Sequence, residues 1–129
     1  MQETVEQYKR RMMGYLGSQD PMRVQARTVA AIEKLLKGVP SAKLKKRPAQ
    51  GKWSIAEILA HLADDELVVA YRMKCILAAS GTPVAAFDQD RWAEAMNYGK
   101  TDAKMSLRVL RTLRDANLAL LKSLRTGQW

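Results

Sequence analysis

One stretch carries the side chains with the most chemical potential: "WSIAEILAHLADDE", from Trp53 to Glu66. It holds His61, the only histidine of the chain, followed by Asp64, Asp65 and Glu66. An imidazole beside carboxylates can ligate a divalent metal ion or transfer a proton near neutral pH. The alternative is a partly buried histidine that only bonds a neighbouring carboxylate. The position of each side chain around its helix bears on this choice.

Placement at about 100° per residue separates the three acids. Glu66 lies about 140° from His61, inside an apolar arc of about 60° to 160°, so a carboxylate interrupts the core face. Asp65 and Arg72 lie about 40° and 20° from His61 and form a polar seam beside that arc. We expect Asp64 to face solvent. Glu66 has three candidate roles: an acid, a hydrogen-bond acceptor for a ligating imidazole, or the partner of an arginine on another helix.

Other polar or reactive side chains have plainer interpretations. Asn117 falls in the apolar stripe of the last long helix and is a second buried polar candidate. In "FDQDRW", Asp88 is placed to cap a short helix and Trp92 to close one end of a bundle. Cys75 lies about three to four turns from His61, too far for a nucleophile pair, and is predicted to pack. The candidate pocket residues are Asp65, Glu66, Arg72, Asp88 and Asn117.

The elements that position these residues are helical. No segment shows sustained period-two alternation, whereas four segments repeat apolar residues at spacings of three and four. The first, from about Thr4 to Leu16, is short and peripheral. The second opens at Asp20-Pro21, an N-cap followed by proline at the first helical position, and has Leu35 and Leu36 among its inward residues. The sequence therefore predicts the all-α class.

The helix that carries His61 has the clearest start. Ser54 and Glu57 form an S-x-x-E capping box directly before an apolar run, which predicts a helix from Ser54 to about Ala79. A polar loop, residues 39–52, precedes it. The predicted core stripe of this helix comprises Ile55, Ile58, Leu59, Leu62, Val69, Met73, Ile76 and Leu77.

The segment 80–100 is too long for a tight turn between antiparallel helices, which usually takes about two to eight residues. It is long enough to return along the whole preceding helix, even if part of it forms a short helix. The last long helix, capped by Thr101 or Asp102 and ending near Leu124, is therefore predicted to run parallel to the helix that carries His61.

Composition limits the classes of protein. The 129 residues and 47% apolar content suffice for one domain with a core. Lys and Arg total 22 against 13 acids, a net charge of +9, which suits anionic partners. No array of stacking aromatics accompanies the basic residues, so a solvated basic surface is favoured over a nucleic-acid site. The single cysteine and the lack of a signal peptide or membrane-spanning run predict a cytoplasmic protein without membrane attachment.

Three stretches, in this order, resemble the DinB-like family of four-helix-bundle metalloproteins: "GKWSIAEILAHLADDE", "FDQDRWAEA" and "LRTLRDANLALLKSL". The resemblance covers most of the chain and predicts a single DinB-like domain over residues 1–129. It implies an up-down-down-up bundle in which a long crossover joins the second and third helices. The segment lengths predict the same topology independently.

The resemblance also implies a metal site that takes one histidine from the "HLADDE" motif, matched here by His61, and two from a pair on the fourth helix. This sequence has no second histidine and reaches Trp129 about where that helix would begin. We therefore expect a C-terminally truncated bundle that lacks its fourth helix. Zinc, nickel or iron, the divalent ions implied for the family, should bind weakly or not at all, because an open catalytic site needs three protein ligands.

Three function classes follow. The first is a metal-dependent enzyme of the thiol S-transferase or hydrolase type, acting on a small molecule or thiol, with an incomplete site. The second is a non-catalytic bundle that covers an apolar groove by forming a homodimer through Met73, Leu113, Leu120 and Leu124. In this class, the N-terminal helix is a rival cover within one chain. The third and weakest is a basic nucleic-acid-binding module.

Overall fold

The computed structural model describes residues 3–129, so the first two residues of the predicted domain lie outside the described range. Within residues 3–129 there are six α-helices and no β-strand, which confirms the all-α prediction. No helix in this range has the length and apolar content needed to cross a membrane. The helices are α1 (Val5–Leu16), α2 (Pro21–Leu36), α3 (Ser41–Lys45), α4 (Ile55–Ala78), α5 (Gln89–Ala95) and α6 (Ala103–Ser123).

The predicted helix starts are confirmed by their caps. The Asp20 carboxylate accepts from the Arg23 backbone N–H at the start of α2. At α4, the Ser54 hydroxyl accepts from the backbone N–H of Glu57, whose carboxylate accepts from the backbone N–H of Ser54. Asp102, one of the two predicted caps, is the N-cap of α6. Each cap satisfies backbone donors that the first turn leaves without a partner.

The prediction of a plain loop over residues 39–52 was wrong in part. Residues Ser41–Lys45 form α3, which places Leu44 in the core with 5% of its surface exposed. Leu44 packs there with Ala56, Leu59 and Ala103. Leu44 is flanked by polar and basic residues, so the sequence shows no apolar periodicity that would predict α3.

Contacts along α4 and α6 give their relative direction. Leu59 and Ala103 share one core cluster, and Ala63 and Leu110 share the next. Residue numbers rise together on both helices, so α4 and α6 run parallel, as the long crossover predicted. In α2, Gln25 meets Arg114 and Glu33 meets Arg111, so α2 runs antiparallel to them. The topology of these three long helices is up-down-down.

The buried face of α4 is narrower and smaller in side chain than predicted. Alanines dominate it: Ala56, Ala60, Ala63 and Ala70 are 0% to 7% exposed. Such small residues let α6 approach closely. Four residues of the predicted stripe are instead exposed, namely Ile55, Ile58, Val69 and Ile76, and so is Leu35 of α2. These predictions failed because a groove lined by Leu35, Ile55 and Ile58 stays open between α2 and α4.

Candidate functional site

His61 lies on the side of α4 that faces the crossover, and aromatic rings surround it. Its side chain is 16% exposed. The Trp53 ring meets the imidazole edge-on with centroids 5.2 Å apart, and the Phe87 ring lies 6.4 Å away. Phe87 in turn packs on Trp92 at 4.9 Å. These apolar walls limit the contact of the imidazole with water.

The two ring nitrogens of His61 have different surroundings. Nε2 lies 3.5 Å from Oδ2 of Asp65, one turn further along α4. Nδ1 is buried and has no hydrogen-bond partner among the described residues. A buried polar atom without a partner is uncommon and indicates a bound group or a water. His61 and Asp65 were predicted to share one side of α4, and the structure brings them together.

Asp64 does not face solvent, contrary to the prediction. It is half-buried and accepts a hydrogen bond from the hydroxyl of Tyr98. The helical angle alone pointed outward, but the crossover returns over this side of α4 and places Tyr98 there. Tyr98 is 2% exposed. Burial, and then the bond to Asp64, raise the pKa of the Tyr98 phenol.

Glu66 and Asn117 are both buried and belong to one network between α4 and α6. The Asn117 amide donates to Glu66 Oε1 at 2.9 Å and to the backbone carbonyl of Glu66 at 3.1 Å. Arg114 Nη2 lies 2.8 Å from Glu66 Oε2 and Nη1 donates to the carbonyl of Gln25 on α2. The arginine pairing, one of three candidate roles for Glu66, is therefore present. Among residues 3–129, no hydrogen bond or ion pair joins Glu66 to His61.

The other two candidates are Arg72, which is on α4 and contacts the crossover, and Asp88, which is in the crossover itself. Arg72 donates to the carbonyl of Ala85, and its guanidinium carbon is 6.0 Å from the Phe87 ring centre. It therefore holds the crossover against α4. The Asp88 carboxylate accepts from the backbone N–H groups of two residues in the first turn of α5, each at 3.1 Å. Asp88 acts as the predicted helix cap, and among the described residues no hydrogen bond or ion pair links it to His61.

The sequence profile of the DinB superfamily matches residues 25–129, which include most of α2, the His61 stretch, the crossover and α6. The chain belongs to the DinB superfamily. The up-down-down order of the three long helices is the order that the resemblance to this family implied.

Relatives of this DinB superfamily chain carry names that refer to metal-dependent hydrolysis. It is 27% identical over 108 residues to the Halalkalibacterium halodurans protein named "Putative metal-dependent hydrolase BH0277", covering 84% of this chain and 58% of that one. It is 28% identical over 79 residues to Bacillus subtilis YfiT, which has the same type of name, covering 61% and 44%. The chain thus spans about half the length of these curated relatives.

A solved structure gives the same fold. The chain superposes with a TM-score of 0.76 on Bacillus subtilis YfiT, titled a "probable metal-dependent hydrolase with an unusual four-helix bundle topology". The superposition covers 97% of this chain and 66% of that one, at 22% identity. It supports the bundle topology predicted for the DinB superfamily chain.

The metal ion implied for the superfamily requires ligands that the described residues supply only in part. The unpartnered Nδ1 of His61 is a free nitrogen suited to zinc or nickel. However, residues 3–129 contain no cluster of three His, Cys, Asp or Glu side chains placed to hold an ion. One imidazole with one nearby carboxylate does not fit an open catalytic site, which takes three protein ligands. The described residues hold part of a donor set at most.

Several residues of the site were not identified from the sequence. Trp53 and Phe87 form its walls, yet Phe87 lies in an irregular segment where no periodicity fixes its direction. Arg114 precedes Asn117 by three residues on α6, and this spacing on one helix face was the available signal. Tyr98 lies in the crossover, 34 residues from Asp64, so only the tertiary fold reveals the pair.

Proposed function

We propose that this DinB superfamily chain contributes His61 to a metal-dependent enzyme of the hydrolase type, and that residues 3–129 alone bind a divalent ion weakly. The observation that carries the proposal is the buried, unpartnered Nδ1 of His61 inside an aromatic enclosure. The names of the relatives support the reaction class, and the thiol S-transferase type is the related alternative. No chemical step is assigned to a metal, because the donors present do not complete its site.

Asp65 gives the imidazole a defined role in this proposal. A carboxylate beside Nε2 favours the tautomer that carries its proton on Nε2. The lone pair then lies on Nδ1, the nitrogen without a partner. His61 is therefore prepared to accept a hydrogen bond or to ligate a metal through Nδ1. Asp65 is a positioning residue, since it acts through the histidine.

Titration with zinc and with nickel tests the proposal, with calorimetry for affinity and proton–nitrogen spectra for the ring nitrogens. The sole histidine makes its two nitrogen signals unambiguous. We expect weak binding that shifts Nδ1, is lost in His61→Ala and is reduced in Asp65→Asn. Asp90→Asn, on the exposed surface of α5, is the matched carboxylate control. Binding that persists in His61→Ala would refute the proposal, and a submicromolar site in a monomer would refute the weak binding.

An apolar groove between α2 and α4 favours a second function, a bundle that acts as a homodimer. The groove has a volume of about 420 Å³ and only one charged lining residue, Lys43. Its walls include Ile32, Leu35, Val39, Ile55, Ile58 and Leu62. Soluble monomers rarely expose a contiguous apolar surface above a few hundred Å². We propose that a second copy of this chain covers it.

The size of the surface fits this occupant. On the side of α4 that faces the groove, Ile55, Ile58, Val69 and Ile76 are exposed and extend along about 32 Å, and two helices are about 20 Å wide together. The resulting area, roughly 600 Å², approaches the ~800 Å² per partner of a standard interface. The rival cover, α1, does not line the groove. Met73, Leu113, Leu120 and Leu124, named from the sequence, are half-buried and lie outside the groove lining.

Light scattering at low micromolar concentration tests the homodimer. We expect a dimer that dissociates in Leu35→Glu and in Ile58→Glu, which place a charge in the groove. Leu67→Glu, an exposed leucine of α4 outside the groove lining, is the matched control. A folded wild-type monomer with a sharp thermal transition would refute the dimer, as would a dimer unchanged by both groove variants.

A further inference from the structure

A second cleft lies where α2 ends, α3 crosses and α6 begins. Its volume is about 940 Å³, near the upper end of the range for small-molecule sites, about 300–1,000 Å³. None of its lining residues belongs to the His61 enclosure or to the network of Glu66. The cleft is therefore separate from the His61 site, and the proposed metal-dependent function does not depend on it. It adjoins the groove between α2 and α4, because Leu36 and Val39 line both.

The floor of the cleft is apolar and continuous with the core. Leu36, Val39 and Leu107 line it and pack against the cluster that contains Leu44 and Ala103. The lining has no aromatic residue, histidine or cysteine. A nucleobase would find no ring to stack on, and a metal no soft ligand. An aliphatic chain matches such a floor, because burying it removes apolar surface from water on both partners.

The rim of the cleft is basic. Lys34, Lys37 and Lys104 line it, and among the described residues no carboxylate lies within ion-pair distance of their ammonium groups. The lining also has two acids. Glu33 pairs with Arg111, whereas Asp102, the cap of α6, accepts a hydrogen bond only from the backbone N–H of Lys104 and keeps its negative charge. Three lysines against this one carboxylate leave the rim with a net positive charge.

We infer that this cleft binds an amphiphile with one anionic head group and an unbranched aliphatic chain. The chain lies on the floor formed by Leu36, Val39 and Leu107, and the head group reaches the lysines at the rim. A free fatty-acid carboxylate and an alkyl phosphate share this chemistry. The three ammonium groups complement either head, while the absence of aromatic lining disfavours ring-bearing anions.

Decanoate and decyl phosphate, below their micelle concentrations, are the probes, and backbone amide spectra of the full chain are the readout. We expect saturable shifts at Gly38, which lines the cleft, and none at Gly81 beyond α4. Butanoate should bind far more weakly, since it covers little of the floor. Decyltrimethylammonium should not bind, because its head is cationic. The tighter of the two anionic probes identifies the preferred head group.

Two triple variants separate the rim from the net charge of the protein. Replacing Lys34, Lys37 and Lys104 by Gln should weaken decanoate binding roughly tenfold, from three partly screened ion contacts. Replacing Lys9, Lys74 and Lys122, exposed elsewhere, removes the same charge and should leave binding unchanged. Equal weakening in both variants, shifts at Gly81 equal to those at Gly38, or no saturable binding of either anionic probe would overturn the inference.

Discussion

Asn117 of α6 donates one side-chain amide group to both the carboxylate and the backbone carbonyl of Glu66 on α4. The two acceptors fix Asn117 in both distance and direction. Because Arg114 binds the other oxygen of Glu66 and also the backbone of α2, three helices meet in one polar network. Apolar packing alone tolerates a shift of one helix along another, whereas this network permits one register.

Removing one member of the Glu66–Arg114 pair should destabilise the fold more than removing both. We expect Arg114→Met or Glu66→Met to lower the free energy of unfolding by about 3 kcal/mol, because each leaves a buried charge without its partner. The double variant should recover a large part of that loss. Urea denaturation measures all three. Arg91→Met, which breaks an exposed 4.0 Å pair, is the control and should change little. Additive losses in the double variant would contradict the coupling.

The cap of α4 should make stability depend on acidic pH. Hydrogen bonds from Arg47, and then from Ser54, lower the pKa of buried Glu57 to about 2. In the unfolded chain this pKa is about 4.3. The folded state therefore gains stability that is complete above about pH 5 and is lost as pH falls through about 2, roughly 2–3 kcal/mol in total.

Glu57→Gln should flatten this acidic part of the stability curve, as measured by urea denaturation from pH 2 to pH 6. Glu94→Gln, an exposed acid of α5, is the matched control and should keep the wild-type slope. A Glu57→Gln variant with the wild-type slope would place the acid sensitivity elsewhere.

Tyr98 should be the last tyrosine to ionise. Its burial and its bond to Asp64 raise the pKa of the phenol, whereas Tyr8, Tyr15 and Tyr71 are exposed. The pKa of Tyr71 is also raised, but chiefly by its neighbour Cys75 and without burial. Since the folded pKa is raised, this stabilisation is present below about pH 10 and is lost as pH rises through the folded value. Ultraviolet absorbance of tyrosinate should show a late phase in the wild type that Tyr98→Phe removes. A late phase that survives in Tyr98→Phe would assign it to another residue.

The alanine face of α4 should not accept larger side chains. Ala56 is 0% exposed and packs with Leu44, Leu59 and Ala103, so Ala56→Leu would overlap these neighbours. We expect a loss of about 1–3 kcal/mol from overpacking. Ala119→Leu, at an exposed position of α6, should change stability by less than about 0.5 kcal/mol. Equal stability of the two variants by thermal denaturation would show that α4 and α6 can separate without cost.

The helix order and ends were predictable from the sequence because they depend on local signals. The Ser54–Glu57 capping box and the Asp20-Pro21 start act within one turn, and the structure reproduces both. The segment 80–100 is longer than a tight turn and long enough to return along α4, which favoured a parallel direction for the next helix. By contrast, α3 was missed, because one leucine among lysines carries no periodic signal.

The side-chain contacts of the site were less predictable, since helical angles give a direction but not a neighbour. Glu66 was expected inside the bundle, and it is buried there. Its pairing with Arg114 remained one of several alternatives, because the rotation of α6 was unknown. Asp64 was misplaced for the same reason: the crossover over it could not be oriented. Leu35 was predicted to be buried because apolar periodicity identifies the face of α2 that should pack against another element. Periodicity does not show which element packs there.

Helix α1 should unfold locally and independently of the rest of the fold. None of its residues is buried, and the bonds described for it are local: the Thr4–Gln7 capping box and the pair between Glu3 and Arg11. A helix of 12 residues held mainly by such contacts is marginal in water. Its amide hydrogens should therefore exchange with solvent through local fraying. The amide hydrogens at the centre of α6, which packs on α2 and α4, should exchange only on global unfolding. The cooperative folding unit therefore begins at α2.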